Sequence, residues 1–141
     1  METLPTLTQF PLKTHEKLRY ADTDRQGHVN NAVFATMLET GRLEILYNPE
    51  KRLASEGCTF VIVHLDLDFH AEIFWPGEVK TGTRITKIGT SSITFEQALF
   101  QNERCVATAN SVVVHIDKSR KKSEPLSSAA AAYLKSLQYT Q

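Results

Sequence analysis

Hydrophobic positions change their spacing once along this chain, near residue 60, and the change separates a helical part from a β part. Between residues 31 and 47 they recur at intervals of three and four, which predicts one helix with an apolar face. The positions are Val33, Phe34, Met37, Leu38, Gly41, Ile45 and Leu46. Asn30 or Asn31 is placed to cap this helix, and the Asn48-Pro49 pair to end it. A glycine inside a helix costs about 1 kcal/mol, so Gly41 predicts close packing against another backbone.

After residue 60 the period becomes two, the spacing of β-strands. From 61 to 69 the odd positions are apolar and most even ones are polar, which predicts a strand with one buried face. Further strands are predicted over 13–21, 78–88, 91–101 and 104–116. A basic loop is expected at 118–122, and a short helix is expected to begin at Ser127 or Ser128 and to run to Leu137.

Successive strands joined by short turns predict an antiparallel sheet. Combined with one strongly apolar helix, they predict an α+β fold in which a long sheet wraps around a central helix. Residues 1–141 then form a single domain, with 123–141 as a peripheral C-terminal extension. A wrapped sheet leaves its edge strands open, and pairing with a second copy covers them, so we expect a homodimer or a homotetramer.

Charge and composition narrow the classes of function. Sixteen basic residues balance sixteen acidic ones, which favours neither nucleic acid nor a membrane surface as a partner. No apolar run approaches the roughly 20 residues that span a bilayer, and the N-terminus lacks the pattern of a signal peptide, so we expect a cytoplasmic protein. Cys58 and Cys105 resemble buried small hydrophobes more than a disulfide framework.

The chemistry concentrates in residues 20–31, directly before the predicted helix. Two acids, Asp22 and Asp24, are followed by the polar or flexible residues Gln26, Gly27, His28, Asn30 and Asn31. Unpaired backbone N–H groups and the helix dipole favour negative charge at a helix N-terminus. The segment therefore suits attack on a carbonyl group and stabilisation of the oxyanion that results.

Each candidate residue has a structural alternative. Asp24 is the candidate nucleophile or general base, although an aspartate before a helix also commonly caps a turn. His28 is expected to polarise a carbonyl, hold a water molecule or orient Asp24, or else only to bond the backbone. Gln26 is a weaker catalytic candidate. Backbone N–H groups near Gly27, His28 and the Asn30–Asn31 pair are the candidate oxyanion donors, and Asp22 is expected to be structural.

The segment from Tyr20 to Asn31, with the helix and strands that follow, resembles the hot-dog fold thioesterases of the 4-hydroxybenzoyl-CoA thioesterase and short acyl-CoA thioesterase group. The resemblance rests on an aromatic residue, Asp-Thr-Asp, a nearby glycine and a polar residue that opens the helix. It implies hydrolysis of acyl-CoA thioesters with Asp24 as the catalytic carboxylate. The run from Asp24 to Asn31 is also similar to the plant acyl-carrier-protein thioesterases, in which asparagine stands at the position of Gln26.

The resemblance implies a partner, acyl-CoA, and no metal or organic cofactor beyond the coenzyme A of the substrate. Lys118, Arg120 and Lys121 suit its phosphates, with solvation of a basic loop as the alternative. Ser91 and Ser92 are candidates for bonding its pantetheine arm, although serines are also ordinary turn residues.

A metal site and two other functions are the alternatives. The even positions of the strand near 64–70, His64, Asp66, Asp68 and His70, are ligand types, but a straight row spaced at roughly 6–7 Å does not converge on one ion. A non-catalytic acyl-CoA binding protein of the same fold would lack the carboxylate at position 24. A hot-dog hydratase or dehydratase usually carries Asp, then Asn-Pro, then His, whereas this chain has Gln26-Gly27.

Overall fold

The computed structural model describes residues 3–24 and 27–139, which form one curved antiparallel sheet and two helices. The elements are β1 (Leu12–Lys17), α1 (Asn31–Leu46), β2 (Cys58–Phe69), β3 (Glu78–Ile88), β4 (Ser92–Gln101), β5 (Arg104–Asp117), β6 (Lys122–Ser123) and α2 (Ser128–Leu137). The strands lie in the order β1-β3-β4-β5-β2, and β6 pairs with β5. The predicted α+β arrangement is confirmed.

The first strand and the basic loop both end earlier than predicted. The first strand ends at Lys17, and Tyr20–Asp22 form a 3₁₀ turn instead of continuing it. The turn forms because the Asp22 carboxylate accepts the backbone N–H of Arg19 at 2.8 Å and so draws the chain back on itself. Lys122, which was expected in the basic loop, lies in the short strand β6.

Helix α1 packs on one face of the sheet, and its first half is the centre of the core beside the candidate site. Asn30 caps the helix, since its side-chain oxygen accepts the N–H of Ala32 at 2.9 Å. Phe34, Met37 and Leu38 are buried against the sheet. The close approach at Gly41 is real, but it is made by side chains and not by a second backbone: a Cβ there would lie 2.9 Å from Gln97 Nε2 and 3.1 Å from Thr83 Oγ1.

The second half of α1 joins a separate apolar cluster with the C-terminal segment. Ile45 and Leu46 pack there with α2, in which Ala130 and Leu134 are buried. The Ser127 hydroxyl caps α2 by accepting a hydrogen bond from the Ala130 N–H. Ser127 is one of the two residues at which the sequence predicts this helix to begin. Segment 123–141, predicted to be a peripheral extension, therefore contributes buried side chains to the core.

Strand β2 is an edge of the sheet, and several of its apolar residues are exposed within one chain. Val63, Leu65 and Phe69 are 60%, 40% and 50% exposed, so the predicted buried face is wrong for the single chain. The register against β5 also shifts between Ile62 and His64, which leaves Val63 as the extra residue of a β-bulge. An open apolar edge of this length is a pairing surface unless something covers it.

No helix in the described ranges has both the length and the apolar character that crossing a bilayer requires.

Candidate active site

The two acids of the motif lie in different environments. Asp22 is buried and accepts the Arg19 backbone N–H at 2.8 Å and the Arg19 guanidinium at 2.9 Å. Burial alone would raise the pKa of the Asp22 carboxyl, but the hydrogen bonds and charge of Arg19 outweigh it, so the pKa lies below its ordinary value. Asp22 is therefore structural, as predicted, and Asp24 is the exposed carboxylate.

Asp24 stands at the start of a tight turn. Its backbone N–H donates to the carbonyl of His28 at 2.8 Å, and the Gly27 N–H donates back to the Asp24 carbonyl at 3.3 Å. Thr23 and Val29 form a β-bridge below the turn. Gly27 has a φ of +79°, a conformation that side-chain-bearing residues adopt at a cost. Gln26, the weaker catalytic candidate, lies outside the described residues.

His28 is oriented by a residue that the sequence analysis did not single out. Its Nδ1 lies 3.0 Å from Oε1 of Glu72, and its ring meets the Phe74 ring edge-to-face with centroids 5.0 Å apart. A carboxylate only accepts hydrogen bonds, so Nδ1 carries the proton in this pair and Nε2 is the basic nitrogen of the neutral ring. The predicted alternative is a ring bonded only to backbone, whereas the His28 ring is paired with a carboxylate. Glu72 follows a strand as a lone acid, and no spacing rule relates it to His28.

Asp24, His28 and Glu72 line one cleft of about 420 Å³ at the N-terminus of α1. Its other lining residues are Val29, Asn31, Phe34, Phe69, His70 and Ala71. The lining thus combines polar and ionisable side chains with the apolar side chains of Val29, Phe34, Phe69 and Ala71. That combination suits a ligand with a reactive polar group joined to an apolar one.

The predicted oxyanion donors have different roles in the structure. The N–H of Gly27 donates to Asp24, and the N–H of Asn30 donates to the Asp22 carbonyl at 2.8 Å, so both amides are used inside the loop. Asn30 also spends its side chain on the helix cap. Asn31 is the first residue of α1, is exposed and lines the cleft, which makes its amide the donor best placed for a developing negative charge.

The predicted coenzyme A residues lie at the far end of β2 from this cleft. Asp117, at the basic turn, pairs with Cys58 at the start of β2, whereas Phe69 at its end lines the cleft. The eleven residue steps between Cys58 and Phe69 span about 35 Å at the usual rise of a strand. A single copy therefore does not bring the basic turn and Asp24 together.

At the basic turn, the predicted coenzyme A residues differ in their surroundings. Arg120 pairs with Asp117 at 3.5 Å and Glu124 at 2.8 Å. The Arg120 N–H and the Ser119 hydroxyl donate to Asp117 and lower its pKa to about 2. Lys121 is exposed, and Lys118 lines a cleft with Arg52, a cation that the sequence analysis did not consider.

The two serines lie beside the same region. Ser91 and Ser92 each accept a backbone hydrogen bond through the main-chain carbonyl, from His115 and Gly89 respectively, and both side chains are partly exposed. Because Ser92 pairs with Val114, close to the end of β5, the serines stand at the basic end of the sheet and not at the cleft.

Metal ligation and cysteine chemistry receive no support from the geometry. Among residues 3–24 and 27–139 there is no group of three or more His, Cys, Asp or Glu side chains that could hold a metal ion. His70 instead hydrogen-bonds the Thr108 hydroxyl at 2.8 Å. Cys58 and Cys105 are both buried as predicted, and burial raises the pKa of both thiols.

Known proteins are similar to this chain in sequence and in fold. The chain is 25% identical over 134 residues to the acyl-CoA thioester hydrolase YbgC of Escherichia coli O157:H7, covering 92% of this chain and 97% of YbgC. A predicted thioesterase from Bacillus stearothermophilus superposes with a TM-score of 0.83 at 26% identity, covering 92% of this chain and 98% of that one.

A thioesterase from Thermus thermophilus, solved in complex with coenzyme A and Zn, superposes with a TM-score of 0.77 at 28% identity. The alignment covers 89% of this chain and 98% of that one. The model of the thioesterase-like superfamily matches residues 18–134, which include the 20–31 motif, α1 and the sheet from β2 to β5. The predicted hot-dog fold is confirmed, and the chain belongs to the thioesterase-like superfamily.

Proposed function

We propose that this protein hydrolyses acyl-CoA thioesters to a carboxylic acid and free coenzyme A. The proposal is carried by one observation: Asp24, the carboxylate-bound imidazole of His28 and the first residue of a helix, Asn31, line a single cleft together with apolar side chains. Membership of the thioesterase-like superfamily supports the reaction class. The name of the relative YbgC, acyl-CoA thioester hydrolase, supports acyl-CoA as the substrate.

In the proposed reaction, Asp24 begins the attack on the thioester carbonyl. Acting as a general base, it takes a proton from water while the water oxygen adds to the carbonyl carbon. Acting as a nucleophile, it forms a mixed anhydride that water then opens. Both routes consume one water, break the C–S bond, and end with the proton on the thiolate of coenzyme A. Mass spectrometry of rapidly quenched enzyme distinguishes them, because only the nucleophilic route acylates Asp24.

The other groups of the cleft stabilise the oxyanion and orient the attacking water. The Asn31 amide donates to the oxyanion, a contact whose loss typically costs on the order of 10²–10³ in rate. Because Glu72 accepts the hydrogen bond from Nδ1–H, Nε2 is the His28 nitrogen that is available for the reaction. A neutral His28 can accept a hydrogen bond from the attacking water, whereas only the protonated ring could donate one to the carbonyl.

Coenzyme A would be held with the help of a second copy of the chain. Two β2 edges that pair antiparallel about a two-fold axis set the start of one strand beside the end of the other. The basic turn of the second copy then lies near the cleft of the first, which removes the separation of about 35 Å within one chain. The exposed apolar side chains of β2 become buried in the same step.

Thiol release from a panel of acyl-CoAs tests the proposal. We expect turnover by the parent and loss of most of it in Asp24→Asn, which keeps the shape of the side chain without its charge. Glu50→Gln is the control, because Glu50 is an exposed carboxylate in the loop after α1 that lies outside β2 and does not line the cleft. Equal turnover by Asp24→Asn and the parent refutes the role of Asp24. Binding of acyl-CoA without thiol release identifies a binding protein instead.

A further inference from the structure

Gln101, the last residue of β4, hydrogen-bonds both backbone polar groups of Phe74. Its Oε1 accepts the Phe74 N–H at 3.0 Å, and its Nε2 donates to the Phe74 carbonyl at 2.7 Å. The side chain is buried, and Gly77 leaves room for it, since a Cβ at Gly77 would lie 3.3 Å from Nε2. One amide side chain thus fixes a residue of the connection between β2 and β3 as a neighbouring strand would.

The residue that Gln101 fixes is itself attached to the candidate active site. Phe74 forms a β-bridge with His28, and the Val29 N–H donates to the neighbouring Ile73 carbonyl at 2.8 Å. The Phe74 ring also meets the His28 ring edge-to-face. Glu72, which holds His28 Nδ1, precedes Ile73 on the same short segment. Both members of the His28–Glu72 pair therefore depend on where this segment lies.

We propose that Gln101 is a positioning residue for the hydrolysis, acting through Phe74 to hold His28 and Glu72 in place. The inference rests on the proposed function. Gln101 does not line the cleft, so it acts on the chemistry only through the backbone of residues 72–74. Displacing a catalytic group by about 1 Å can cost on the order of 10²-fold in rate. A rigid support for residues 72–74 therefore matters for the reaction, and the buried Gln101 amide supplies it.

Gln101→Met tests the inference, because methionine has a similar length and makes neither hydrogen bond. We expect kcat to fall at least about tenfold and KM to change less than about twofold, since orientation is lost and substrate contacts remain. If Gln101→Met does not fold, Gln101→Glu replaces it: this variant keeps the acceptor for the Phe74 N–H and loses the donor to the Phe74 carbonyl. An unchanged kcat, or a change in KM alone, overturns the proposal.

Gln97→Met is the matched control for stability. Gln97 lies on the same face of β4, is also buried, and also donates through Nε2 to a backbone carbonyl, that of Leu38. We expect Gln97→Met to lower the melting temperature while kcat stays within about twofold of the parent. A loss of kcat in both variants that follows their loss of stability would reduce Gln101 to an ordinary structural residue.

A double-mutant cycle checks that the effect passes through His28. In a His28→Ala background the support has no imidazole to position, so adding Gln101→Met changes kcat less than about twofold. The same fold-loss in both backgrounds contradicts the proposal, because Gln101 would then act independently of His28.

A spectroscopic readout keeps this inference separable from the proposed function. The edge-to-face Phe74 ring displaces the NMR shifts of the His28 ring protons, which are identified by their absence in His28→Ala. Gln101→Met moves these shifts toward free-histidine values and Gln97→Met does not; unchanged shifts in Gln101→Met overturn the inference. A parent protein that releases thiol from no acyl-CoA ends the proposed function but leaves this measurement intact.

Discussion

The Glu72 carboxylate meets the His28 imidazole at 3.0 Å, although one residue follows β2 and the other precedes α1. The contact exists because residues 28–29 and 73–74 lie side by side, joined by a β-bridge and by the hydrogen bond from Val29 to Ile73. Oriented imidazoles are commonly held in this way, with a carboxylate on one nitrogen and the reactive nitrogen left for chemistry.

Removing the charge of Glu72 should slow hydrolysis. Glu72→Gln keeps an oxygen that accepts the Nδ1 proton but loses the charge, which weakens the hydrogen bond by about 1 kcal/mol and predicts a kcat about fivefold lower. Glu72→Ala also loses the orientation and should fall further. Steady-state thiol release measures both, with Glu56→Gln, an exposed acid in the loop before β2, as control. Parent-like kcat in Glu72→Ala would exclude a role for this carboxylate.

Two glycines offer a matched pair for the active-site turn. Gly27 and Gly57 both have a φ of +79°, and a Cβ at either would meet nothing within 4 Å among the residues that the structure describes. An alanine at each position should therefore cost a similar amount, about 1–2 kcal/mol, through backbone strain alone. Urea denaturation checks this equality.

Only Gly27→Ala should also lower kcat, because Gly27 shapes the turn between Asp24 and His28 while Gly57 lies at the start of β2. Equal kcat in the two variants would show that the shape of this turn does not matter for the reaction.

The exposed edge of β2 predicts that one substitution separates the proposed dimer. Val63→Lys places a charge at the bulge, the most exposed apolar position of the strand, and lysines on edge strands oppose pairing. We expect a smaller particle in sedimentation and a loss of most thiol release, because the second basic turn is removed from the cleft. Leu4→Lys, at an apolar residue 40% exposed in the N-terminal segment, is the control. An active Val63→Lys monomer would refute the shared site.

Glu16 makes the stability of the protein depend on pH. Burial, followed by the charges of Asp22 and Glu44, raises the pKa of Glu16 above 4.5, and its Oε2 has no hydrogen-bond partner within the described ranges. The folded state therefore binds this proton more tightly than the unfolded state, and stability is lost as pH rises from 4.5 through the folded pKa.

Glu16→Gln should accordingly melt at a higher temperature than the parent near neutral pH. The difference should narrow as the pH falls toward 4.5, where the parent carboxyl becomes protonated. Thermal melts across this pH range measure it, with Glu56→Gln at an exposed site as the reference. A lower melting temperature for Glu16→Gln at neutral pH would contradict the burial of an uncompensated charge.

Short-range features were predictable because neighbours in the chain decide them. The helix from residue 31, its cap at Asn30 and the cap at Ser127 all follow from side chains acting on backbone a few residues away. The burial of Cys58 and Cys105 agrees with the prediction that they behave as small hydrophobes.

Long-range features were not predictable, because no local pattern encodes them. The alternation along β2 correctly indicated a strand, but it could not tell an edge strand from a covered one, and the bulge at Val63 leaves no trace in the period. Gly41 correctly indicated close packing, yet the neighbour proved to be side chains of β3 and β4.

The sequence by itself determined the kinds of residues at the site and their local conformation: a carboxylate and an imidazole around a glycine turn, at the head of a capped helix. Only the tertiary structure decided that Glu72 reaches His28, that Gln101 holds Phe74, and that the basic turn stands about 35 Å away along β2. The reason is that these contacts join segments far apart in the chain. Packing of the whole sheet against α1 sets their distances, whereas the turn and the cap are set by adjacent residues alone.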